Sequence, residues 1–500
     1  MSILAASFSP ILLVPVMSIL PFFGINFPNA ASADPETDAN RYQTVAEQID
    51  QGGVLYGYVS VDGDLTALIQ YFDSFMTGMK EFDQTVPEFD AKSLLKISGL
   101  DSISALGLSS IRVEDGFRNK VYLHTPGGRR GFLALFGNES KPFEVLELAP
   151  SGTDLVFEQV INLKTFYDNV VMQTLGGGPL TGNTPPLGQQ GMMLKMMADG
   201  FMKQPLQPGL SFTMEKLLAD LDTKLTVIVD GDPNRMVNVP DTEEVIQIPQ
   251  IQGAILADGL GWIAEELIKM LEPELARAQG MKIVQGDNWS GIQLDINAPI
   301  TSKREKKEIR DFGWSTAILA HHRPSGKLIA SSSKQFAERL FATNEKLSRD
   351  PVFQKTMKDL PMKGTAISYV SPVFMTELRD VIHKAIDLEN PEEKESKRED
   401  RFGAYSMLDF FLPEGALGEG MVATTKKEGL LTVSNSMYSH KSKILLGTAA
   451  PLMIGASVFT VVQSFKSRSV AESFRTKSTE DTIQEAEGAI KQLEADLKEE

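Results

Sequence analysis

Five hundred residues are more than one hydrophobic core usually serves, so two or more domains are expected. An apolar fraction of 42% suits globular folding and excludes a polytopic membrane protein, while a formal charge of −17 argues against a nucleic-acid binder, which needs a basic face. The chain has no cysteine and only five histidines. That removes disulfides, thiolate metal sites and thiol nucleophiles, and leaves little of the usual general base and zinc ligand.

The chain opens with an apolar run, Ile3–Phe27, interrupted by Pro10, Pro15 and Pro21. It ends in Ala31-Ser32-Ala33, an A-x-A cleavage pattern, followed by Asp34. Residues 1–33 therefore read as a signal peptide or an N-terminal membrane segment. No Lys or Arg precedes Arg41, which departs from the usual export signal. Three prolines argue against a buried N-terminal helix.

A strand-then-helix unit recurs beyond that point. Gly53–Ser60 leads into Leu65–Met79, and Gly364–Ser371 leads into Val373–Ile386. Both units place Tyr-Val-Ser five residues after a Gly, as Tyr58-Val59-Ser60 and Tyr369-Val370-Ser371. Gly152–Glu158 leading into Leu163–Leu175 reads as a third copy. Leu225–Val229 reads as a fourth strand, ending in Asp230-Gly231-Asp232 as the first ends in Asp62-Gly63-Asp64. A motif repeated at such long spacing predicts two related halves rather than a solenoid.

Short turn signals between alternating apolar runs predict hairpins. They fall at Asp115-Gly116, Pro126-Gly127-Gly128, Gly286-Asp287-Asn288, Pro324-Ser325-Gly326 and Lys427-Glu428-Gly429. The second would pair Lys120–His124 with Arg130–Phe136. Helices over Leu260–Ala278 and Lys334–Phe341 would cover one face of such sheets. The fold class is α+β: antiparallel sheets covered by helices, followed by one C-terminal transmembrane helix.

Two stretches read as linkers. Gly176–Gly191 carries no apolar periodicity and runs into a helix with five methionines, Met192, Met193, Met196, Met197 and Met202. Helical apolar stripes are ordinarily core, which is the expectation here; the sharper reading is a mobile lid or a lipid- or peptide-binding helix. Asn390–Arg401 reads as a solvated charged loop. The division is thus a first α+β domain over 34–175, a Gly/Pro loop and Met-rich helix over 176–203, and a second α+β domain over 204–440.

Ile444–Phe465 contains no charged residue. As a helix it reaches roughly 33 Å, enough for a hydrocarbon core of about 30 Å. Lys466, Arg468, Arg475 and Lys477 follow it closely, against Lys441 and Lys443 before it. The positive-inside bias then puts residues 466–500 in the cytoplasm and the bulk of the chain on the periplasmic or extracytoplasmic side of the inner membrane. In the tail, Thr482-Ile483-Gln484-Glu485 reads as a capping box, and Ile483, Ile490 and Leu497 recur every seven residues. A seam this short associates weakly alone. Tethering raises its effective concentration and makes it a candidate homodimer contact.

Candidate chemistry is sparse. His321 and His322 are adjacent, and on a strand they point to opposite faces, so they would not share one metal. The two Asp-Gly-Asp motifs lack the spaced ligands of a calcium loop and read as turns after strands. Gly176-Gly177-Gly178 lacks the Lys-Ser/Thr of a phosphate loop. Arg129-Arg130 and Lys303-Arg304-Glu305-Lys306-Lys307 read as basic surface loops. No residue is singled out as catalytic, cofactor-binding or metal-binding, and no cofactor is implied.

The block formed by Gly99–Ile103, Gly107–Ser110, Phe117–Lys120 and Tyr122–Leu133 resembles uncharacterised exported bacterial proteins known only by a domain of unknown function. The resemblance covers Gln51–Phe166 best. It implies a cell-envelope location and carries no catalytic residues. The expected function is a non-enzymatic, membrane-anchored envelope protein binding a protein or lipid partner. The alternatives are an envelope hydrolase using Asp/Glu carboxylates, or a lipid carrier with an apolar groove.

Overall fold

The computed structural model describes residues 35–445, apart from 62, 83–89, 183, 206–211, 239–246, 272–279, 296–315, 343, 389–404, 406–407 and 410–411. The apolar segment 1–33 expected to be a leader, the charged loop 390–401, the tail 466–500 expected in the cytoplasm and nearly all of the charge-free stretch 444–465 lie outside those residues. Among the described residues, no helix is long and apolar enough to cross a membrane.

In chain order the elements are α1 Pro35–Ala46, β1 Leu55–Ser60, α2 Asp64–Phe82, α3 Ala91–Ser98, β2 Ala105–Val113, β3 Gly116–His124, β4 Lys141–Pro142, α4 Val145–Leu148 and β5 Leu155–Asn162. Then come α5 Leu163–Phe166, a π-turn at Tyr167–Val171, α6 Met172–Gly176, α7 Gly188–Met202, α8 Met214–Ala219, β6 Asp222–Asn238, β7 Gln247–Ala257 and α9 Trp262–Met270. The remainder is β8 Met281–Gln285, β9 Trp289–Asp295, β10 Thr316–His322, β11 Lys327–Ser331, α10 Lys334–Ala342, α11 Pro351–Thr356, β12 Lys363–Gly364, β13 Ala366–Val370, α12 Pro372–Leu388, β14 Glu419–Lys426, β15 Gly429–Ser436 and α13 His440–Leu445.

Local chemistry sets several of these boundaries. Asp90 accepts a hydrogen bond from the Ser93 amide to start α3, and Gly99, at φ 75°, ends it. Asp350 accepts from the Val352 and Phe353 amides, and Pro351 occupies the first helical position of α11.

Thirteen strands form one antiparallel sheet in the order β1-β2-β3-β15-β14-β13-β5-β6-β7-β11-β10-β9-β8. That order resolves into four three-stranded meanders, β1-β2-β3, β13-β14-β15, β5-β6-β7 and β9-β10-β11, with β8 added outside β9 as the thirteenth strand. Third strands meet third strands, at β3–β15 and β7–β11. First strands meet at β13–β5. The first meander and the last are further matched in detail. Tyr58 lies opposite Gly107 in β2, and Tyr369 lies opposite Gly420 in β14. A Cβ on Gly107 would sit 2.4 Å from Val45 of α1, and one on Gly420 would sit 2.3 Å from Met357. Both glycines let a covering segment approach the sheet closely.

One face of the sheet is the core. The line Tyr369–Val156–Ile228–Ala254 crosses four strands in register and is buried throughout. It shares one core with Phe143 and Val145, with Phe336 and Leu340 of α10, with Phe353 of α11 and with Met357. The opposite face is half-exposed along β5, β6 and β7. This half-buried, alternating pattern is what an antiparallel sheet with one covered face produces.

Three of the four anticipated strand–helix units are present, at β1–α2, β5–α5 and β13–α12. The fourth is corrected. β6 runs straight through Asp230-Gly231-Asp232, which pair with Gln252, Ile251 and Gln250 of β7. The Gly231 amide donates to Asp154 at 2.9 Å, so a long-range acceptor keeps a turn-forming triplet extended. Four of the five hairpins form. Arg130–Phe136 does not: Gly131–Leu133 is a short 3-10 turn, and β3 pairs with β15 instead.

Candidate functional site: an outward-facing apolar helix

The sequence-level candidates disperse over the fold. His321 and His322 do point to opposite faces of β10. His321 Nδ1 lies 2.8 Å from Glu265 of α9, while His322 stacks on Phe341 at 3.7 Å between ring centroids. Among the described residues, no group of three or more His, Asp or Glu is placed to hold a metal ion. Arg130 pairs with Asp101 at the surface. Arg129 turns inward to Thr425 Oγ1 at 2.7 Å, and burial lowers its guanidinium to about 10.

Two charge clusters emerge that sequence spacing does not reveal. The first gathers Asp154, Asp230 and Glu377 around Gly231. Asp154 is buried, and both its oxygens are engaged, by Ser371 Oγ at 2.7 Å and by the Gly231 amide at 2.9 Å. Asp230 pairs with Arg339. Burial, then Asp154 and Asp230, raise the Glu377 carboxyl above its ordinary value. Glu377 also lines an open cleft of about 1030 Å³, walled by Phe117, Val352, Val373 and the ion pair of Arg118 with Asp359. Asp154 therefore serves as a clamp between β6 and the start of α12, and the cluster offers one accessible carboxyl rather than a working pair.

The second cluster lies on the core face. Glu158 sits in register between Ile367 and Thr226 and is 2% exposed. It accepts from the Glu144 and Val145 amides, at the start of α4. Lys224 reaches Glu144 at 2.8 Å and Glu158 at 3.7 Å; Lys327 reaches Glu144 at 2.8 Å and also pairs with Asp258. Burial alone would lower the Lys327 ammonium, but Asp258 and Glu144 outweigh it and raise it. The two lysines hold Glu144 at about 2 against burial, below its ordinary 4.5.

The sign of the pH dependence follows. Glu144 has a depressed folded pKa, so its stabilisation is present above 4.5 and is lost as pH falls through about 2. Glu158, raised by burial, acts in the opposite sense: its contribution is present below its unfolded pKa and is lost as pH rises through the raised value. The expected result is that Glu144→Gln flattens the acid limb of stability. Urea midpoints measured from pH 5 down to about pH 2 should fall less steeply in the variant than in the parent.

The largest anomaly is α7. Its buried side carries Gly191, whose Cβ would lie 2.7 Å from the Leu175 carbonyl, and Lys195, which packs over Gly176 and pairs with Asp199 at 2.7 Å. Its outward side carries Met192, Met193, Met196, Met197 and Phe201, each between 55% and 69% exposed. The expectation that the methionine stripe is core is thus overturned: the small and charged residues face in, because only they allow α7 to lie flat on α6. A second helix behaves alike. α2 leaves Tyr71, Phe75 and Met79 exposed along one side. α3 touches both α2 and α6. Neighbouring exposed apolar side chains in such number mark an interaction surface, and methionine suits irregular apolar partners.

No family model, no curated protein and no solved structure matches this chain.

Proposed function

We propose that this chain is a membrane-tethered binding protein of the cell envelope, with its α+β body displayed outside the cytoplasm. The observation that carries the reading is the outward methionine face of α7, which costs solvation unless something apolar covers it. The tether in this reading is Ile444–Phe465, a charge-free stretch of a length that suits a hydrocarbon core. The matched meanders, with Tyr58 opposite Gly107 and Tyr369 opposite Gly420, support an origin in two related halves. A carboxylate hydrolase is less well supported, because Asp154 has both oxygens committed.

Two measurements test this. A reporter fused after Lys441 is expected to be active only outside the cytoplasm; activity inside sinks the topology. The full chain is expected to bind the apolar dye ANS, and Met192→Gln/Met196→Gln/Met197→Gln together should remove most of that signal. Unchanged dye binding with the fold intact would remove α7 as the binding surface.

A further inference from the structure

Among the described residues, β1 is an edge strand with nothing to blunt it. Leu-Tyr-Gly-Tyr-Val-Ser contains no charge and no proline, the two common guards of an open edge. At the far end of the sheet, β8 carries the exposed Lys282. The direction of the β1 backbone is set at its C-terminal end, where the ladder with β2 continues in register. The Val61 amide donates inward, to the Ser104 carbonyl at 3.0 Å, so the amides of Ser60, Tyr58 and Tyr56 point away from β2.

The chain already shows what such a strand takes as a partner. β13 is the counterpart of β1: same Tyr-Val-Ser, same tyrosine opposite a glycine, same helix following. The outer edge of β13 is filled by β5, another first strand, antiparallel. There the Ser371 amide, counterpart of Ser60, donates to the Asp154 carbonyl at 2.7 Å. Among the described residues, two strands keep an open outer edge, β1 and β8 at the two ends of the sheet, and of these β8 alone carries a charged guard.

We propose that β1 pairs antiparallel with β1 of a second copy of this chain, making an isologous dimer in which two sheets become one. A first strand meets a first strand, as β13 meets β5, and the two-fold axis crosses the β1–β1 seam. The contact is distinct from the heptad seam at Ile483, Ile490 and Leu497, and a common tether would favour it by raising effective concentration.

The chain has no cysteine, so single replacements report cleanly. In the full chain in detergent, Val59→Cys is expected to form a covalent dimer with a short bismaleimide, and Lys282→Cys is not. Adding Ser60→Pro, which removes an outward amide and no internal ladder bond, should abolish the Val59→Cys dimer. On the unmodified chain, the Tyr56, Tyr58 and Ser60 amides should exchange at least about tenfold more slowly at high protein concentration than at low. That last measurement decides the matter if Ser60→Pro does not fold. Equal cross-linking at both edges, no dimer from folded Val59→Cys, or amides that exchange freely at every concentration would each overturn the pairing. So would a dimer held through the C-terminal helix alone, which protects none of these amides.

Discussion

Replacing Lys224 by Met is expected to remove about 3–5 kcal/mol of stability, the usual cost of stranding one member of a buried ion pair. The lysine side chain is 10% exposed and Glu158 is 2% exposed. Without it, Glu158 retains the Glu144 and Val145 amides but no cation, among the buried residues that line the core face. Glu144 keeps Lys327, so the damage concentrates on Glu158. The double variant Lys224→Met/Glu158→Gln should recover more than half of the loss, because the stranded charge goes with it. Urea denaturation of the three variants measures this. A single variant within about 1 kcal/mol of the parent would mean that water reaches Glu158 in the folded state.

The second large effect is expected at Asn119. This side chain is 1% exposed and joins four partners. Its oxygen accepts from Ser110 Oγ at 2.6 Å and from the His440 amide at 3.1 Å; its nitrogen donates to Ser436 Oγ at 2.9 Å and to the Tyr438 carbonyl at 3.0 Å. Ser439 then caps α13 through the Ser442 amide. Asn119→Leu fills the space but satisfies none of these groups, and should cost about 2–4 kcal/mol. The loss should be local as well as global. Protease cleavage between Ser436 and Lys441 should rise in the variant well before the sheet opens. If global stability falls and that segment stays resistant, Asn119 is not what holds α13.

Much of this fold was legible from residue order. The β2–β3 and β14–β15 hairpins follow from alternating apolar residues around Asp115-Gly116 and Lys427-Glu428-Gly429, signals confined to a few neighbours. The opposite orientations of His321 and His322 follow from a strand's period of two. What escaped depends on distant partners. Asp230-Gly231-Asp232 has turn composition, and only Asp154, seventy-seven residues away from Gly231, keeps it straight. β7 carries no strand signal of its own, since Pro249 and Gly253 interrupt its alternation while pairing with β6 and β11 sustains it. Hydrophobicity alone ranks Met above Gly191 and Lys195 for burial, and so turns the methionine helix the wrong way round. The deciding fact was steric, the close approach of Gly191 to the Leu175 carbonyl. The surface proposed for binding was thus readable as unusual composition, but not as a direction.

The pairing of β3 with β15 bears on how the molecule is made. Arg118 and Asn435, partners across that seam, are separated by 317 residues. A ribosome therefore adds 317 residues between these partners before the β1-β2-β3 meander gains a neighbour on its β3 side. Until then β1-β2-β3 is a three-stranded fragment with both flanks bare, a state prone to self-association, and closure over so long a loop is slow. Synthesis of this chain should therefore lean on holding chaperones until the final hairpin arrives, immediately ahead of the segment that would fasten it to the membrane.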